Sequence, residues 1–197
     1  MADKRDKQRE DRRNQILAES LDMFIKKGYY GTSTRSIASQ AGISSGLIFN
    51  YFESKDAIYE TLIEIGCEKM KVDQDIALQN PYLYMRNLIT GIFTQLDNNS
   101  FFAKMFVFMD QAQHTVGISK RSQELLQSTN ITTNYCSIIE CGQVKGQFRE
   151  GKAESLTVAF LAAIQGIAQE RVRSKDMILP KTRWIMDILT GGSINEE

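Results

Sequence analysis

The residues between positions 34 and 52 have the types and the spacing of a helix-turn-helix, a motif whose chemistry is the recognition of DNA. Ala38 is small enough for two helices to cross there, and Gly42, four residues later, supplies the positive φ of a tight turn. Ile48, six residues further on, returns an apolar side chain to the first helix. Ala38 and Gly42 alone are typical of any tight helical corner, whereas the whole pattern is far more specific. The segment therefore predicts a short helix suited to the roughly 12 Å wide major groove.

Helical periodicity divides the side chains of this motif into an inward and an outward set. The inward set is apolar and comprises Ile37, Ala38, Ala41, Ile43, Ile48 and Phe52. The outward set offers hydroxyl, guanidinium, amide and leucine side chains to a ligand, and it comprises Thr34, Arg35, Ser44, Ser45, Leu47, Asn50 and Tyr51.

Short helices must position this motif, and apolar spacing predicts where they lie. A first helix carries apolar residues from Ile16 to Ile25 and stops at Gly28, and the second covers about residues 34–40. A serine opens the third, which runs to about Tyr51, and the fourth extends from Ser54 to about Met70. Longer helices follow at Tyr82 to Leu96, Phe101 to Gln113, about Gln123 to Gly146, Ala153 to about Arg173, and Pro180 to Thr190.

Composition narrows the class of protein. With 42% hydrophobic and 24% charged residues, the chain of 197 residues can bury a core, and its 2 prolines favour an all-α fold. The sequence offers neither a membrane-spanning stretch nor a signal-peptide core, which predicts a cytoplasmic protein. Three cysteines without a Cys-x-x-Cys pair and a single histidine predict no metal site. We find no nucleophile with a base and no phosphate loop, so we expect no catalytic residue, no cofactor and no enzyme.

The formal net charge of zero conceals an asymmetry along the chain. Residues 1–55 contain 10 basic and 7 acidic side chains, a net +3, so the remaining residues carry −3. Chance variation on a solvated surface also gives such a difference. Together with a DNA-binding motif, however, the asymmetry predicts that the basic residues 1–55 face DNA phosphates and that the acidic remainder of the chain does not.

Residues 12–62 resemble the DNA-binding domain of the TetR family of bacterial transcriptional regulators. The resemblance rests on Gly28-Tyr29, Gly31-Thr-Ser-Thr34, Ile37-Ala38, Ala41-Gly-Ile-Ser-Ser-Gly46 and Phe49-Asn-Tyr-Phe52, followed by Ser54-Lys55. It covers about a quarter of the chain, and the remainder matches only in length and helix pattern. The family usually has tyrosine at the position of Phe49, so a phosphate contact from that hydroxyl would be missing.

The resemblance implies roles for individual residues of the outward set. Thr34 and Lys55 would bind phosphates, and Tyr51 with Asn50 would do so from the end of the recognition helix. Ser45, Gly46 and Leu47 would face base edges, beside Ser44 at the start of the helix. Arg35 would contact either guanine or phosphate. The basic arm of residues 4–13 would either reach the DNA backbone or minor groove, or act as a disordered solubilising tail.

The last two predicted helices carry apolar stripes that suit a dimer, because helix-turn-helix proteins usually read two half-sites. The resemblance also implies a four-helix interface between two copies. The alternative is that both stripes pack inward on their own monomer. The predicted interface comprises Leu156, Ala159, Phe160, Ala163, Ile167, Trp184, Ile185 and Ile188, with Ala162 and Gly166 permitting close backbone approach.

The middle of the chain is rich in aromatic and methionine side chains. Such side chains either form plain core or line a pocket for an apolar or aromatic effector. The predicted pocket comprises Met70, Phe93, Phe102, Met105, Phe106, Met109, Gln113 and Tyr135.

These observations predict an all-α protein with an N-terminal three-helix helix-turn-helix DNA-binding domain at 1–55. A helical ligand-binding and dimerisation domain would follow at 56–197. The predicted function is that of a homodimeric, ligand-responsive regulator of transcription, a repressor that leaves a palindromic double-stranded DNA operator when a small-molecule effector binds. The alternative is an effector-independent architectural DNA-binding protein, or a regulator controlled by a protein partner.

Overall fold

Ten α-helices and one 3-10 turn make up the structure, a computed structural model that describes residues 2–192. No strand occurs within this range, which confirms the all-α prediction. In chain order the α-helices are α1 (Ala2–Lys27), α2 (Thr34–Gln40), α3 (Lys55–Lys69), α4 (Gln74–Gln79), α5 (Pro81–Asn98), α6 (Ser100–His114), α7 (Lys120–Ser128), α8 (Ile131–Val144), α9 (Ala153–Arg173) and α10 (Thr182–Thr190). The 3-10 turn, Leu47–Asn50, lies between α2 and α3.

Local sequence signals account for several helix ends. Ser33 caps α2 in a capping box with Ser36, in which each side chain accepts a hydrogen bond from the other residue's backbone amide. Asn80 caps α5, and Pro81 occupies its first turn, where a missing amide hydrogen costs little. Gly28 ends α1 with φ +69°, a conformation that strains other residues.

One predicted helix is two. The sequence predicts a continuous helix from about Gln123 to Gly146, whereas α7 ends at Ser128 and α8 begins at Ile131. Asn130 interrupts the helix with φ +41°, a left-handed conformation that asparagine tolerates better than most residues. Periodicity does not reveal such a break, because apolar residues continue on both sides of it.

The chain forms two compact units. Within the described range, the first unit contains residues 2–69 and 107–128, and the second contains residues 70–106 and 129–192. The division falls inside α6, which contributes residues to both units. Compactness assigns α3 and the 107–128 segment to the first unit. This division concerns packing, so the functional boundary after residue 55 stays a prediction.

The core of the first unit joins the helix-turn-helix to the 107–128 segment. Phe24 of α1 packs edge-on against Tyr59 of α3, with ring centroids 4.9 Å apart. Phe108 packs against both rings, at 6.2 Å from Phe24 and 5.0 Å from Tyr59. Residues from the middle of the chain therefore complete the core of the first unit.

The second unit has a core of its own, built from α4, α5, the first part of α6, α8, α9 and α10. Phe160 of α9 and Ile185 of α10 are buried in it, and Phe160 lies 5.9 Å from the Tyr135 ring of α8. Among the described residues, no helix is both long and apolar enough to cross a membrane.

Candidate nucleic-acid interface

The inward residues of the helix-turn-helix pack as the spacing predicts. Ile37, Ala38 and Ile48 are fully buried, and Ala41 and Phe52 are nearly so. Ile43, which the sequence places in the same set, is only half-buried.

The turn between the two helices depends on Gly42. Its φ of +66° lies in the left-handed region, and the backbone amide of Ile43 donates to the carbonyl oxygen of Ala38 at 2.9 Å. A side chain at residue 42 would be strained by this φ. The glycine therefore sets the direction in which the following segment leaves α2.

The recognition segment is a single 3-10 turn, where the sequence predicts a short α-helix. The sequence predicts a serine cap, but Gly46 is the residue that precedes the turn, and it provides no side-chain cap. The Ser44 hydroxyl instead accepts a hydrogen bond from the Leu47 amide at 3.2 Å, three residues along. The regular turn then covers only Leu47–Asn50. Serine and Gly46 are poor helix formers, and the segment is too short for propagation to outweigh nucleation.

The outward residues of the motif lie where a ligand can reach them. A Cβ added to Gly46 would meet no atom within 4 Å, so DNA can approach the backbone there. Thr34 and Tyr51 are half-buried, and the other predicted base- or phosphate-facing residues are exposed, namely Arg35, Ser44, Ser45, Gly46, Leu47 and Asn50.

Lys55 lies beside two tyrosines that precede α2. Its Nζ donates to the carbonyl oxygen of Tyr29 at 2.9 Å and lies 3.9 Å from the centroid of the Tyr29 ring. Burial lowers the pKa of this ammonium group. Tyr29 is held in turn by the hydrogen bond that its hydroxyl donates to Asp56. The lysine is therefore oriented by protein contacts, and two of its three N–H donors remain for other acceptors.

Sequence reasoning missed the part that residues 107–128 play in the first unit. The hydroxyl of Tyr30 donates to the Val116 carbonyl oxygen at 2.8 Å, and Gln111 Nε2 donates to the Ile25 carbonyl oxygen at 3.4 Å. Arg121 forms an ion pair with Glu64 of α3. These contacts are far apart in sequence, so no local pattern indicates them.

The residues of the predicted effector pocket belong to two different units. Met109 and Gln113 belong to the first unit, where a Cβ added to Gly66 would overlap the Met109 side chain. The other six belong to the second unit, in which Phe93, Met105 and Tyr135 are buried and Met70, Phe102 and Phe106 are half-buried. Burial raises the pKa of Tyr135 above the ordinary value of a phenol, which is neutral at physiological pH in any case.

The predicted dimer residues are likewise divided by burial. Phe160 and Ile185 belong to the core of their own chain, whereas Leu156, Ala163, Ile167 and Ile188 are half-buried. Only Ala159 and Trp184 are exposed, and Trp184 has 52% of its surface open to solvent. The exposed face of α9 also includes Val158, Ala162 and Gly166. Sequence reasoning missed Val158, although its spacing to Ala162 and Gly166 is that of one helix face.

One side-chain group has the composition of a metal site. Cys136, Glu140 and Glu154 place a thiol and two carboxylates within 4.8 Å of one another. Desolvation, followed by the two nearby carboxylates, raises the pKa of Cys136, and metals bind the thiolate form. The Cys136 thiol donates toward Glu140 at 3.7 Å, which accounts for the arrangement without an ion.

Comparison with known proteins places the helix-turn-helix in a described family. Residues 16–62 match the model described as "Bacterial regulatory proteins, tetR family". The uncharacterized HTH-type transcriptional regulator YerO of Bacillus subtilis (strain 168) is 28% identical over 122 residues, covering 59% of this chain and 40% of that protein. The HTH-type transcriptional repressor KstR2 of Rhodococcus jostii (strain RHA1) is 22% identical over 153 residues, covering 76% of this chain and 74% of that protein.

The similarity in fold extends over most of the chain. The crystal structure of the MbdR regulator from Azoarcus sp. CIB superposes with a TM-score of 0.72 at 23% sequence identity. The alignment covers 92% of this chain and 98% of that one. The helical architecture beyond the helix-turn-helix is thus shared with a solved structure.

Proposed function

Because this chain belongs to the TetR family of bacterial regulatory proteins, whose members are transcriptional regulators and not enzymes, we propose that it is a homodimeric repressor of transcription that binds a palindromic DNA operator. A regulator that binds chromosomal DNA acts in the cytoplasm, and we propose that location. We assign DNA binding to residues 1–55, and effector binding and dimerisation to residues 56–197.

The observation that carries the proposal is the arrangement of the helix-turn-helix. Its inward residues are buried except for the half-buried Ile43. The segment of residues 44–50 exposes Ser44, Ser45, Gly46, Leu47, Phe49 and Asn50. Serine hydroxyls donate to or accept from base edges, and leucine can contact a thymine methyl group. We propose that these residues read the operator, while Thr34, Arg35, Tyr51 and Lys55 bind its backbone.

A single recognition turn contacts few base pairs, so the proposal requires two copies of the chain. We propose that the exposed face of α9, together with Trp184 of α10, forms the contact between the copies. Val158 has 59% of its surface exposed and lies on the same helix face as Ala159, Ala162 and Gly166. The small residues permit close helix approach, and burial of Val158 and Trp184 would supply the apolar driving force.

We propose that release from the operator follows the binding of a small apolar or aromatic effector in the second unit. The support is the pair Phe102 and Phe106, whose ring centroids lie 5.3 Å apart and which pack against a core that contains Tyr135. Met105 is buried in the same unit. An effector shifts the equilibrium only if it binds the DNA-free conformation more tightly. A thermal-shift screen with small hydrophobic compounds tests this step, because a bound compound raises the unfolding temperature. A Phe106→Ala variant should lose that increase, and the absence of any stabilising compound would favour effector-independent control.

Selection of bound sequences from a random pool of duplex DNA tests DNA recognition by the full chain. We expect a palindrome whose half-sites are spaced by one helical turn of about 10 base pairs, or a multiple of it. Recovery of sequences with no common site would contradict sequence-specific regulation.

A further inference from the structure

The basic N-terminal arm is helical. Because α1 begins at Ala2, residues 4–13 form its first turns, where the sequence left open a disordered tail. Arg5, Arg9 and Arg12 follow one another at i, i+4 and i+7, so they share one face of the helix. All three side chains are exposed.

This arginine face borders the recognition turn. A cleft of about 770 Å³ is lined by the three arginines together with Leu47 and Tyr51 of the recognition segment. Gln8, Gln15 and Asp11 complete its lining. Three guanidinium groups and one carboxylate give the cleft a net charge of +2, which favours an anionic ligand.

Two contacts fix the arm to the helix-turn-helix. Gln15 accepts a hydrogen bond from Arg12 Nη1 at 2.9 Å and donates to the Ala41 carbonyl oxygen at 3.3 Å. The Arg13 guanidinium lies 5.0 Å from the centroid of the buried Phe52 ring. These contacts therefore fix the orientation of the arginine face relative to the helix-turn-helix before any ligand binds.

We infer that Arg5, Arg9 and Arg12 form a phosphate-binding row that grips the DNA backbone beside the bases read by the recognition turn. This inference rests on the proposed function. Along the helix axis, Arg5 and Arg9 are separated by about 6 Å, and Arg9 and Arg12 by about 4.5 Å. These separations keep the three guanidinium groups apart, so each can contact a different phosphate oxygen. The planar guanidinium also suits bidentate phosphate binding.

Other cations of the arm provide a matched control. Lys7 is rotated by about 200° from Arg5 around the helix. Neither Lys4 nor Lys7 is among the residues that line the cleft. If the arm acts only through its total charge, removal of the two lysines should weaken DNA binding as much as removal of two arginines.

The test compares Arg5→Gln/Arg9→Gln with Lys4→Gln/Lys7→Gln in the full chain. The probe is a 40-base-pair duplex carrying a site selected from random DNA by the unmodified protein, and its affinity is measured as a function of salt concentration. Each lost phosphate contact lowers the steepness of the salt dependence by about 0.9, so a dimer lacking four contacts should lose up to about 3.6. The lysine variant should lose less than about 1.

Circular dichroism and size-exclusion chromatography establish that both variants keep the helix content and oligomeric state of the unmodified protein. An equal loss in the two variants would overturn the inference in favour of a diffuse charge effect. No loss in the arginine variant would also overturn it, while binding by the unmodified protein would leave the proposed function intact. Failure of the unmodified protein to select any DNA would overturn both.

Discussion

Two exposed faces of the molecule differ in chemistry. Residues 44–50 of the first unit expose two serines, a glycine and an asparagine beside the apolar Leu47 and Phe49. The exposed face of α9 in the second unit carries Val158, Ala159, Ala162 and Gly166, with no charged residue among them. When a polar ligand binds the serine-rich segment, hydrogen bonds to the ligand replace hydrogen bonds to water. When a second apolar surface covers the α9 face, the removal of apolar area from water is itself favourable.

This difference shows how two functions are separated within one chain. The polar face is small and depends on a turn fixed by Gly42, so its specificity comes from a few positioned groups. The apolar face extends over two turns of α9, so its contribution scales with the area that is covered. Substitutions that alter one face should leave the other intact.

The largest expected effect comes from a change to the apolar face. Val158→Glu/Ala162→Glu would place carboxylates between the two copies, where each unpaired charge costs several kcal/mol. We expect a monomer at micromolar concentration and at least about a 100-fold loss of operator affinity, because the half-sites are no longer bound together. Analytical ultracentrifugation and fluorescence anisotropy measure the two effects.

Thr132→Glu is the control for that variant, since Thr132 is an exposed residue of α8 and lies outside the proposed interface. It should remain dimeric. A dimeric Val158→Glu/Ala162→Glu variant with unchanged affinity would show that the copies meet elsewhere.

A substitution in the recognition segment is expected to raise the affinity for the operator. Phe49 has 53% of its surface exposed, and Phe49→Tyr would add a hydroxyl to a ring that a ligand can reach. One hydrogen bond contributes about 0.5–1.5 kcal/mol, so two phosphate contacts per dimer should raise operator affinity at least about fivefold. Phe49→Leu lacks the hydroxyl and should show no such gain in the same titration. Equal affinities for Phe49→Tyr and the unmodified protein would place residue 49 away from the backbone.

A smaller effect is expected where the 107–128 segment meets Tyr30. Gly117 has φ +78°, which costs a non-glycine residue about 1–2 kcal/mol, and a Cβ there would overlap the Tyr30 hydroxyl. Gly117→Ala should therefore cost about 1 kcal/mol more in the unmodified protein than in a Tyr30→Phe background, where the hydrogen bond to Val116 is already absent. Urea unfolding of the four proteins completes this cycle. Identical costs in both backgrounds would rule out the contact in solution.

The sequence was sufficient for the helix-turn-helix because its signals are local. Ala38, Gly42 and Ile48 lie within eleven residues, and each has a steric role that only a few residue types can fill. The packing of Ile37 and Ala38 and the exposure of Ser45 follow from helical periodicity, and the structure agrees with both.

The remaining features depend on contacts that are distant in sequence. Whether Phe160 faces its own core or a partner could not be decided from an apolar stripe, because both environments favour the same residues. The assignment of Phe108 to the first unit depends on its packing with Phe24, which is 84 positions away in the chain. Leu47–Asn50 form a 3-10 turn because the segment is short and contains poor helix formers. The spacing of apolar residues does not distinguish such a turn from a short α-helix.

The affinity of a Ser45→Ala/Lys55→Ala variant for the selected operator tests the central claim most directly. Ser45 is exposed, Lys55 is half-buried, and neither belongs to the apolar core. We therefore expect the variant to keep its dimeric state, and circular dichroism checks that loss of the Lys55–Tyr29 hydrogen bond leaves the helix content unchanged. We predict that fluorescence anisotropy will detect no specific binding by this dimer. Operator affinity equal to that of the unmodified protein would contradict the assignment of DNA recognition to this face.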